Sequence, residues 1–179
     1  MDSIRKFREC HGLEVVIRPA EAGDSCQIID TVRSHAMERS YVLMEQYGKD
    51  PESEREYIGK LAAAGNLLAV AAAGGEVVGC LAGLQADGGS RPETAHILHV
   101  GLHLRDAFRG RGIGTALLAY ATDWAAAKGF RKLEASIFTT NQRSLHLFEK
   151  AGFSQEGVRL NRIRIGRDLI DEVLMGKVL

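Results

Sequence analysis

The part of the chain best suited to chemistry is a glycine-rich turn that joins a predicted strand to a predicted helix. It reads Arg-Gly-Arg-Gly-Ile-Gly-Thr over residues 109–115, and Arg105 precedes it. The start of a helix leaves several backbone N–H groups unpaired at the positive end of the helix dipole, and glycines allow an anion to approach those groups closely. The turn therefore predicts a cradle for a phosphate or diphosphate, although arginines at these positions are equally typical of solvated surface.

The strand before this turn has two chemically different faces. Because side chains alternate along a strand, one face carries Leu98, Val100, Leu102 and Leu104, and the other carries His99, Gly101 and His103. A buried strand with one polar face predicts a cleft. An unperturbed imidazole titrates near pH ~6.5, so either histidine could act as a general base close to neutral pH. A hydrogen-bonded structural histidine is the competing interpretation.

Composition excludes several other kinds of function. The 179 residues carry 23 basic and 23 acidic side chains, so the chain lacks the broad positive field that non-specific nucleic-acid binding requires. The longest apolar run, residues 67–73, is far shorter than the ~20 residues that span a bilayer. Cys10, Cys26 and Cys80 form no C-x-x-C motif and have no histidine at the usual metal-ligand spacing. We therefore expect no nucleic-acid, membrane or metal partner, and a cytoplasmic protein with reduced thiols.

The order of predicted elements indicates one mixed α/β domain, as expected for a chain of this length. Residues 1–12 form a charged leader and residues 13–179 a single domain in this interpretation. Hydrophobic periodicity and turn residues predict a central sheet of about seven strands, with two helices after the first strand and one helix after each of the fourth and fifth. The predicted strands are 14–18, 67–73, 76–85, 95–104, 132–138 and two that turn near Gly166; the predicted helices are 23–47, 50–64, 112–128 and 141–150.

The spacing of the glycines indicates which kind of ligand a glycine-rich turn binds. A P-loop requires Gly-Lys-Ser or Gly-Lys-Thr, which the chain does not contain. A dinucleotide fold requires G-x-G-x-x-G and an acidic residue about 20 positions later, at the end of the next strand. Here the glycines stand at 110, 112 and 114, and Glu134 lies inside its predicted strand. An NAD-dependent oxidoreductase is therefore only a minor alternative.

Three linked motifs resemble the GNAT superfamily of N-acetyltransferases, and the resemblance spans most of the chain. Arg109-x-x-Gly112-x-Gly114 is similar to the R/Q-x-x-G-x-G/A motif of that family. Residues 141–153 resemble its N-x-x-A-x-x-L-Y-x-x-x-G-F segment, and residues 17–20 resemble its opening strand. Residues 153–175 resemble the closing hairpin of the branch that acetylates amino acids, polyamines and protein N-termini.

The resemblance implies acetyl-CoA as cosubstrate, bound between two parallel strands that splay apart, residues 95–104 and 132–138. The diphosphate would bind the N–H groups of the glycine turn, and the pantetheine arm would pair with the strand before the turn as an added strand. The residues implied at the cofactor are Leu102, His103, Leu104, Arg109, Gly110, Arg111, Gly112, Ile113, Gly114, Thr115, Asn141, Ser144 and Phe148.

The resemblance also implies direct transfer of the acetyl group to a primary amine, without a covalent enzyme intermediate. His99 stands where the family often has a glutamate base, and His103 is the alternative base. Phe148 stands where many relatives have a tyrosine that protonates the leaving thiolate; loss of a general acid costs roughly 10²- to 10⁴-fold in rate. Tyr41 and Met44, on the first predicted helix, are expected to touch the acceptor.

Several acceptors and one rival function stay open. The implied acceptor is an amino acid, a polyamine, an aminoglycoside-like small molecule or a protein N-terminus. The missing tyrosine also favours, as a rival, a catalytically weak module that binds coenzyme A as a sensor or interaction domain. A strand edge near the C-terminus would suit the pairing of two copies in a homodimer.

Overall fold

A mixed sheet forms the centre of the structure, a computed structural model that describes residues 4–36 and 48–179. Its strands are β1 (Arg5–Arg8), β2 (Glu14–Pro19), β3 (Leu67–Ala73), β4 (Glu76–Gln85), β5 (Ile97–Leu104), β6 (Lys132–Phe138), β7 (Ser154–Ile165) and β8 (Asp168–Val178). The helices are α1 (Ser25–Ala36), α2 (Pro51–Ala63), α3 (Ile113–Ala127) and α4 (Gln142–Lys150). The eight strands lie in the order β1-β2-β3-β4-β5-β6-β8-β7.

The expected mixed α/β architecture is confirmed, with eight strands instead of about seven. The additional strand is β1, which lies inside the charged leader and pairs antiparallel with β2. Phe7 explains why this segment forms a strand, because its ring packs against the larger hydrophobic core while Lys6 and Arg8 are exposed. A strand is predicted from alternating apolar and polar residues, and one apolar residue among charged ones is too little to show that alternation.

The sheet separates two hydrophobic cores. On one face, α1 and α2 bury Ile28, Val32 and Ile58 against Val70 of β3. Adjacent strand residues point to opposite faces, and Ala69, next to Val70, belongs to the larger core on the other side. Helix α3 covers that larger core with Leu117, Leu118, Tyr120, Ala121 and Trp124.

The long first helix expected over residues 23–47 is described as far as Ala36. Tyr41 and Met44, the expected acceptor contacts, lie outside the described residues. Helix α2 begins where the sequence predicts, because the Asp50 carboxylate accepts hydrogen bonds from two N–H groups of its first turn. Among the described residues, no helix has the length and apolar character that crossing a bilayer requires.

The neighbouring parallel strands β5 and β6 separate part-way along their length. Their pairing is limited to Ile97 with Lys132, Leu98 with Leu133, and His99 with Glu134. Beyond these pairs, β5 stays paired with β4, and β6 stays paired with β8. Each strand therefore keeps one hydrogen-bonded neighbour while its other edge opens into a gap, which is the splay that the sequence resemblance implies.

An ion pair joins the end of β2 to the turn that leads into α1. Two guanidinium nitrogens of Arg18 donate to the two carboxylate oxygens of Asp24 at 2.7 and 2.8 Å, and the Glu21 N–H donates to Asp24 at 2.8 Å. Burial raises the pKa of Asp24, but the hydrogen bonds from Arg18 and Glu21 outweigh it and hold the pKa below its ordinary value. The charged pair therefore stabilises the fold at neutral pH.

Replacing Asp24 by asparagine tests this pair. Asp24→Asn should lower the free energy of unfolding at pH 7 by about 1–3 kcal/mol, because the Arg18 guanidinium loses its charged acceptor in a mostly buried position. Since the folded pKa of Asp24 lies below the unfolded value, the stabilisation is present above pH ~4 and is lost as the pH falls through the folded pKa.

Urea denaturation of both proteins at neutral and acidic pH measures this difference. The free energies of unfolding of wild type and Asp24→Asn should converge as the pH falls below ~4. Glu56→Gln, which breaks an exposed pair with Lys60, is the control and should cost less than about 0.5 kcal/mol. Equal losses for the two variants would contradict the role assigned to Asp24.

Candidate active site

The turn before α3 has open space beside two of its glycines. Gly110 and Gly112 have φ angles of +74° and +81°, in the left-handed region that favours glycine. A Cβ at either position would meet nothing within 4 Å. Gly112 is the N-cap of α3 and has no side chain to pair with the N–H groups of the first helical turn. The turn therefore has the geometry of an anion site.

Gly114 has a different role from the other two glycines of the motif. It is buried in the first turn of α3. A Cβ there would lie 2.9 Å from Leu147 Cδ2 of α4 and 3.4 Å from Leu104 Cδ1 of β5. The absence of a side chain at Gly114 therefore leaves the space that the Leu147 side chain occupies against α3.

Two arginines of the turn are held by protein partners. Arg109 Nε donates to the Leu104 carbonyl oxygen at 3.2 Å, and its Nη1 forms an ion pair with Asp106. Arg111 Nη1 lies 3.8 Å from a carboxylate oxygen of Glu9. These contacts fix the shape of the turn, so anion binding there would rest mainly on backbone N–H groups.

A cleft of about 600 Å³ lies between the glycine turn and the start of α4. Nine residues expected at the cofactor line it: Leu102, Leu104, Arg109, Gly110, Gly112, Gly114, Thr115, Asn141 and Ser144. The opposite wall was not predicted from the sequence; it is formed by Thr140, Gln142, Arg143, His146, Leu147 and Lys150. The available signal was the spacing of Arg143, Leu147 and Lys150 along α4, because residues three and four apart share one helix face.

A second, narrower cavity of about 150 Å³ lies in the gap between β5 and β6. Its walls are Val100, Gly101, Leu102, His103, Ala135, Ser136, Ile137, Phe138, Asn141, Ser144 and Phe148. It shares Leu102, Asn141 and Ser144 with the larger cleft, so the two cavities adjoin. Asn141 at this junction also caps α4, because its side-chain oxygen accepts a hydrogen bond from the Ser144 N–H at 3.0 Å.

Two residues expected at the cofactor line neither cavity. Ile113 is fully buried in the larger hydrophobic core, because it lies on the apolar face of α3. The Arg111 side chain is directed toward Glu9 of the N-terminal hairpin. Any contribution of Ile113 and Arg111 to the cradle is therefore made by their backbone.

The two candidate bases occupy different parts of β5. His103 lines the narrow cavity, whereas His99 belongs to the last residue pair before β5 and β6 separate. The His99 side chain is 52% exposed, and its Nδ1 lies 3.5 Å from Glu134 Oε2. From the sequence, Glu134 entered only as a possible dinucleotide ligand; the parallel register instead sets it opposite His99.

Glu134 is held on its other side by a lysine. Lys132 Nζ lies 2.9 Å from Glu134 Oε1 and 2.8 Å from Glu156 Oε2. The hydrogen bonds to Glu156 and Glu134 raise the pKa of Lys132 above its ordinary value. This row of charges keeps the Glu134 carboxylate beside His99, where it can orient the imidazole.

Phe148 forms a hydrophobic wall of the narrow cavity. Phe148 is 3% exposed, and its ring packs edge-on against the Phe153 ring with the centroids 4.9 Å apart. The residue offers packing and no proton, as the sequence predicts. Ser136 and Ser144 also line this cavity.

The part of the chain that matches a family model includes every residue that lines the two cavities. Residues 31–153 match the model of the acetyltransferase (GNAT) family. This range contains the glycine turn, the separated part of β5 and β6, and all of α4. The match favours acetyl transfer over the dinucleotide alternative.

Individual proteins and solved structures are similar to this chain. YwnH of Bacillus subtilis, provisionally named a phosphinothricin acetyltransferase, is 41% identical over 68 residues, which are 38% of this chain and 42% of YwnH. The matched region thus spans less than half the length of that curated relative.

A GNAT family acetyltransferase from Streptococcus pneumoniae superimposes with a TM-score of 0.85 at 25% identity, over 92% of this chain and 99% of the other. A phosphinothricin acetyltransferase from Sinorhizobium meliloti, in complex with acetyl-CoA, shares the fold with a TM-score of 0.84 at 22% identity, over 92% and 88% of the two chains.

The packing role of Gly114 can be tested by adding a side chain. Gly114→Val should lower the free energy of unfolding by about 1–3 kcal/mol, because the new methyl groups would overlap the Leu147 side chain and displace it from its packed position. Gly59→Val in α2 is the matched control, since a Cβ at Gly59 meets nothing within 4 Å. It should change the free energy of unfolding by less than about 0.5 kcal/mol in urea titrations. Equal effects at both positions would contradict the close packing at Gly114.

Proposed function

Since the chain belongs to the acetyltransferase (GNAT) family, we propose that it transfers the acetyl group of acetyl-CoA directly to a primary amine. The observation that carries this proposal is the junction of the two cavities at Leu102, Asn141 and Ser144. A broad cleft at a helix N-terminus that adjoins a narrow gap in a sheet suits a cofactor with a diphosphate group and a slender arm. Acetyl-CoA, when bound, supplies the activated thioester.

Residues of this chain fit that cofactor. The open space in front of Gly110 and Gly112 supports a diphosphate held by the first-turn N–H groups of α3. The edge of β5 beyond His99 lies outside the pairing with β6, which supports hydrogen bonding to the amides of the pantetheine arm. Arg143 and Lys150, on the opposite wall of the cleft, offer positive charge to phosphate oxygens.

Catalysis by this chain would rest on positioning and on one proton transfer. The acceptor amine attacks the thioester carbonyl carbon and loses a proton, a C–N bond forms, the C–S bond breaks, and coenzyme A leaves as a thiolate. We assign His99 as the base that takes the proton, with His103 as the alternative. The contact with Glu134 supports His99, since a carboxylate beside an imidazole orients the ring. Phe148 has no proton to donate, so the chain supplies no general acid at that position.

The acceptor is proposed to be a small or peptide-borne primary amine. Two of the similar proteins carry the name phosphinothricin acetyltransferase. Phosphinothricin is therefore the first acceptor to assay, beside amino acids, a polyamine, an aminoglycoside and a peptide with a free N-terminus. Tyr41 and Met44 remain proposed acceptor contacts.

One observation favours a second candidate function. The buried Phe148 ring occupies the wall of the narrow cavity where a proton donor would assist the leaving thiolate. A module that binds coenzyme A as a sensor would tolerate this residue. Release of free thiol with the amine panel separates the two functions, because binding of coenzyme A without thiol release above background would favour the sensor.

We also propose that the protein forms a homodimer and is located in the cytoplasm. Strand β7 lies at the end of the sheet, and the hairpin it forms with β8 exposes Val158, Leu160 and Leu169. An exposed strand edge with apolar side chains supports pairing of two copies. The free thiols of Cys10, Cys26 and Cys80 support a reducing, cytoplasmic environment.

The phosphate cradle can be tested with two isosteric substitutions. Gly112→Asp should weaken coenzyme A binding at least ~10-fold more than Gly112→Asn, because only the aspartate adds a negative charge beside the diphosphate. Both residues tolerate a positive φ and both can cap α3, so they control for backbone strain and capping. Isothermal titration calorimetry measures the affinities. Wild-type affinity in Gly112→Asp would remove the cradle from the proposal.

The assignment of the base can be tested through the pH dependence of the rate. His99→Gln should lower kcat/KM by roughly 10²- to 10⁴-fold at pH 7 and flatten its rise with pH, because the side chain that accepts the amine proton is lost. Glu134→Gln should lower kcat/KM less and keep the rise, since Glu134 acts through His99. His103→Gln is the matched control and should keep the profile. A flattened profile in His103→Gln together with a normal one in His99→Gln would overturn the assignment.

A further inference from the structure

The tight turn between β1 and β2 brings together three different metal-binding side chains. They are the consecutive residues Glu9, Cys10 and His11. His11 Nδ1 lies 3.1 Å from Glu9 Oε2 and 3.2 Å from Cys10 Sγ, and Cys10 Sγ lies 3.8 Å from Glu9 Oε2. We propose that this triad binds one divalent transition-metal ion, with Zn²⁺ as the best match, at a site separate from the acetyl-transfer site.

The separations of the three ligand atoms match one face of a tetrahedral zinc site. Zinc bonds of about 2.3 Å to sulfur and about 2.0–2.2 Å to nitrogen and oxygen put neighbouring ligand atoms about 3.3–3.6 Å apart. The observed separations of 3.1, 3.2 and 3.8 Å lie on both sides of that range. A thiolate, an imidazole and a carboxylate are all ligands that zinc accepts, whereas a thiolate disfavours magnesium and calcium.

The carboxylate of the triad is fixed before any ion binds. The Glu9 side chain is fully buried, and its Oε1 accepts hydrogen bonds from the N–H groups of His11 at 3.0 Å and Leu13 at 2.9 Å. Oε2 is the oxygen that faces Cys10 and His11. Gly12 closes the turn with a φ angle of +87° and a hydrogen bond from its N–H to the Glu9 carbonyl oxygen at 2.9 Å. A ligand held in this way loses little freedom when it binds a metal.

Cys10 and His11 form the accessible side of the site. Both residues are exposed, so an ion and a water ligand can reach them from solvent. Coordination would transfer the Cys10 thiol proton to solvent and leave a fourth position for water. Arg111 Nη1 lies 3.8 Å from Glu9 Oε2, and its positive charge opposes a cation. We therefore expect weaker binding than in a closed four-ligand zinc site.

The sequence predicts no metal, for an identifiable reason. Common zinc motifs separate their ligands by two or more residues, so a run of three adjacent ligands does not match them. Adjacent residues converge on one ion only in a tight turn. The hairpin that supplies this turn depends on β1, which the sequence did not reveal.

Metal binding to the full chain tests the proposal. After treatment with a chelator under reducing conditions, titration with Zn²⁺ against a chromophoric chelator should give one bound ion per chain. Co²⁺ should give a thiolate charge-transfer band and the intense visible bands of a tetrahedral site. Cys10→Ser and His11→Asn should each weaken Zn²⁺ binding ~10-fold or more. Cys26→Ser removes another exposed thiol and should bind like wild type.

Thermal unfolding separates loss of the site from loss of the fold. Because Cys10 and His11 are exposed, both variants should keep the unfolding temperature of the metal-free wild type. Zn²⁺ should raise the unfolding temperature of the wild type and of Cys26→Ser, and not that of Cys10→Ser. No stoichiometric binding, unchanged binding in the two ligand variants, or equal losses in Cys10→Ser and Cys26→Ser would overturn the proposal. None of these readouts requires acetyl-CoA, so they are independent of the proposed function.

Discussion

The separation of β5 from β6 after three residue pairs is the constraint on which the rest of the structure depends. Backbone N–H and C=O groups inside a sheet are costly to leave unpaired unless water or a ligand satisfies them. The cost is limited here because β5 keeps β4 and β6 keeps β8 as antiparallel neighbours. The topology therefore maintains a gap in the middle of a continuous sheet, with the buried Phe148 ring as one of its walls.

The same separation brings two helix N-termini to the cleft. Strand β5 leads into α3 and strand β6 leads into α4, so the diverging strand ends bring two helix N-termini to one cavity, at Gly112 and Asn141. Unpaired N–H groups and the positive ends of helix dipoles favour anions. Arg109 and Arg111 contact carboxylates of the protein itself. If a diphosphate binds here as proposed, its affinity would depend chiefly on backbone geometry, in a chain whose net charge is zero.

Local features of the fold and of the site could be predicted from the sequence, whereas features that depend on long-range contacts could not. Glycine spacing and side-chain alternation are local, so the turn at Gly112 and the polar face with His99 could be read directly. Strand β1 was missed because Phe7 is its single strong apolar signal. The burial of Ile113 on the core face of α3 follows from its helical spacing with Leu117, Tyr120 and Trp124, so Ile113 stays a predicted backbone contact to the cofactor. The contact between His99 and Glu134 depends on the register of two strands far apart in sequence. The glycine at 114 faces α4, which only the packed structure reveals.

The measurement that tests the central claim most directly is a crystal structure of the chain with coenzyme A bound. We expect the diphosphate within hydrogen-bond distance of the N–H groups at residues 111–115. The amides of the pantetheine arm should pair with β5 beyond His99, in the gap beside β6. Coenzyme A bound away from the glycine turn, or β5 and β6 paired along their full length, would contradict the mechanism.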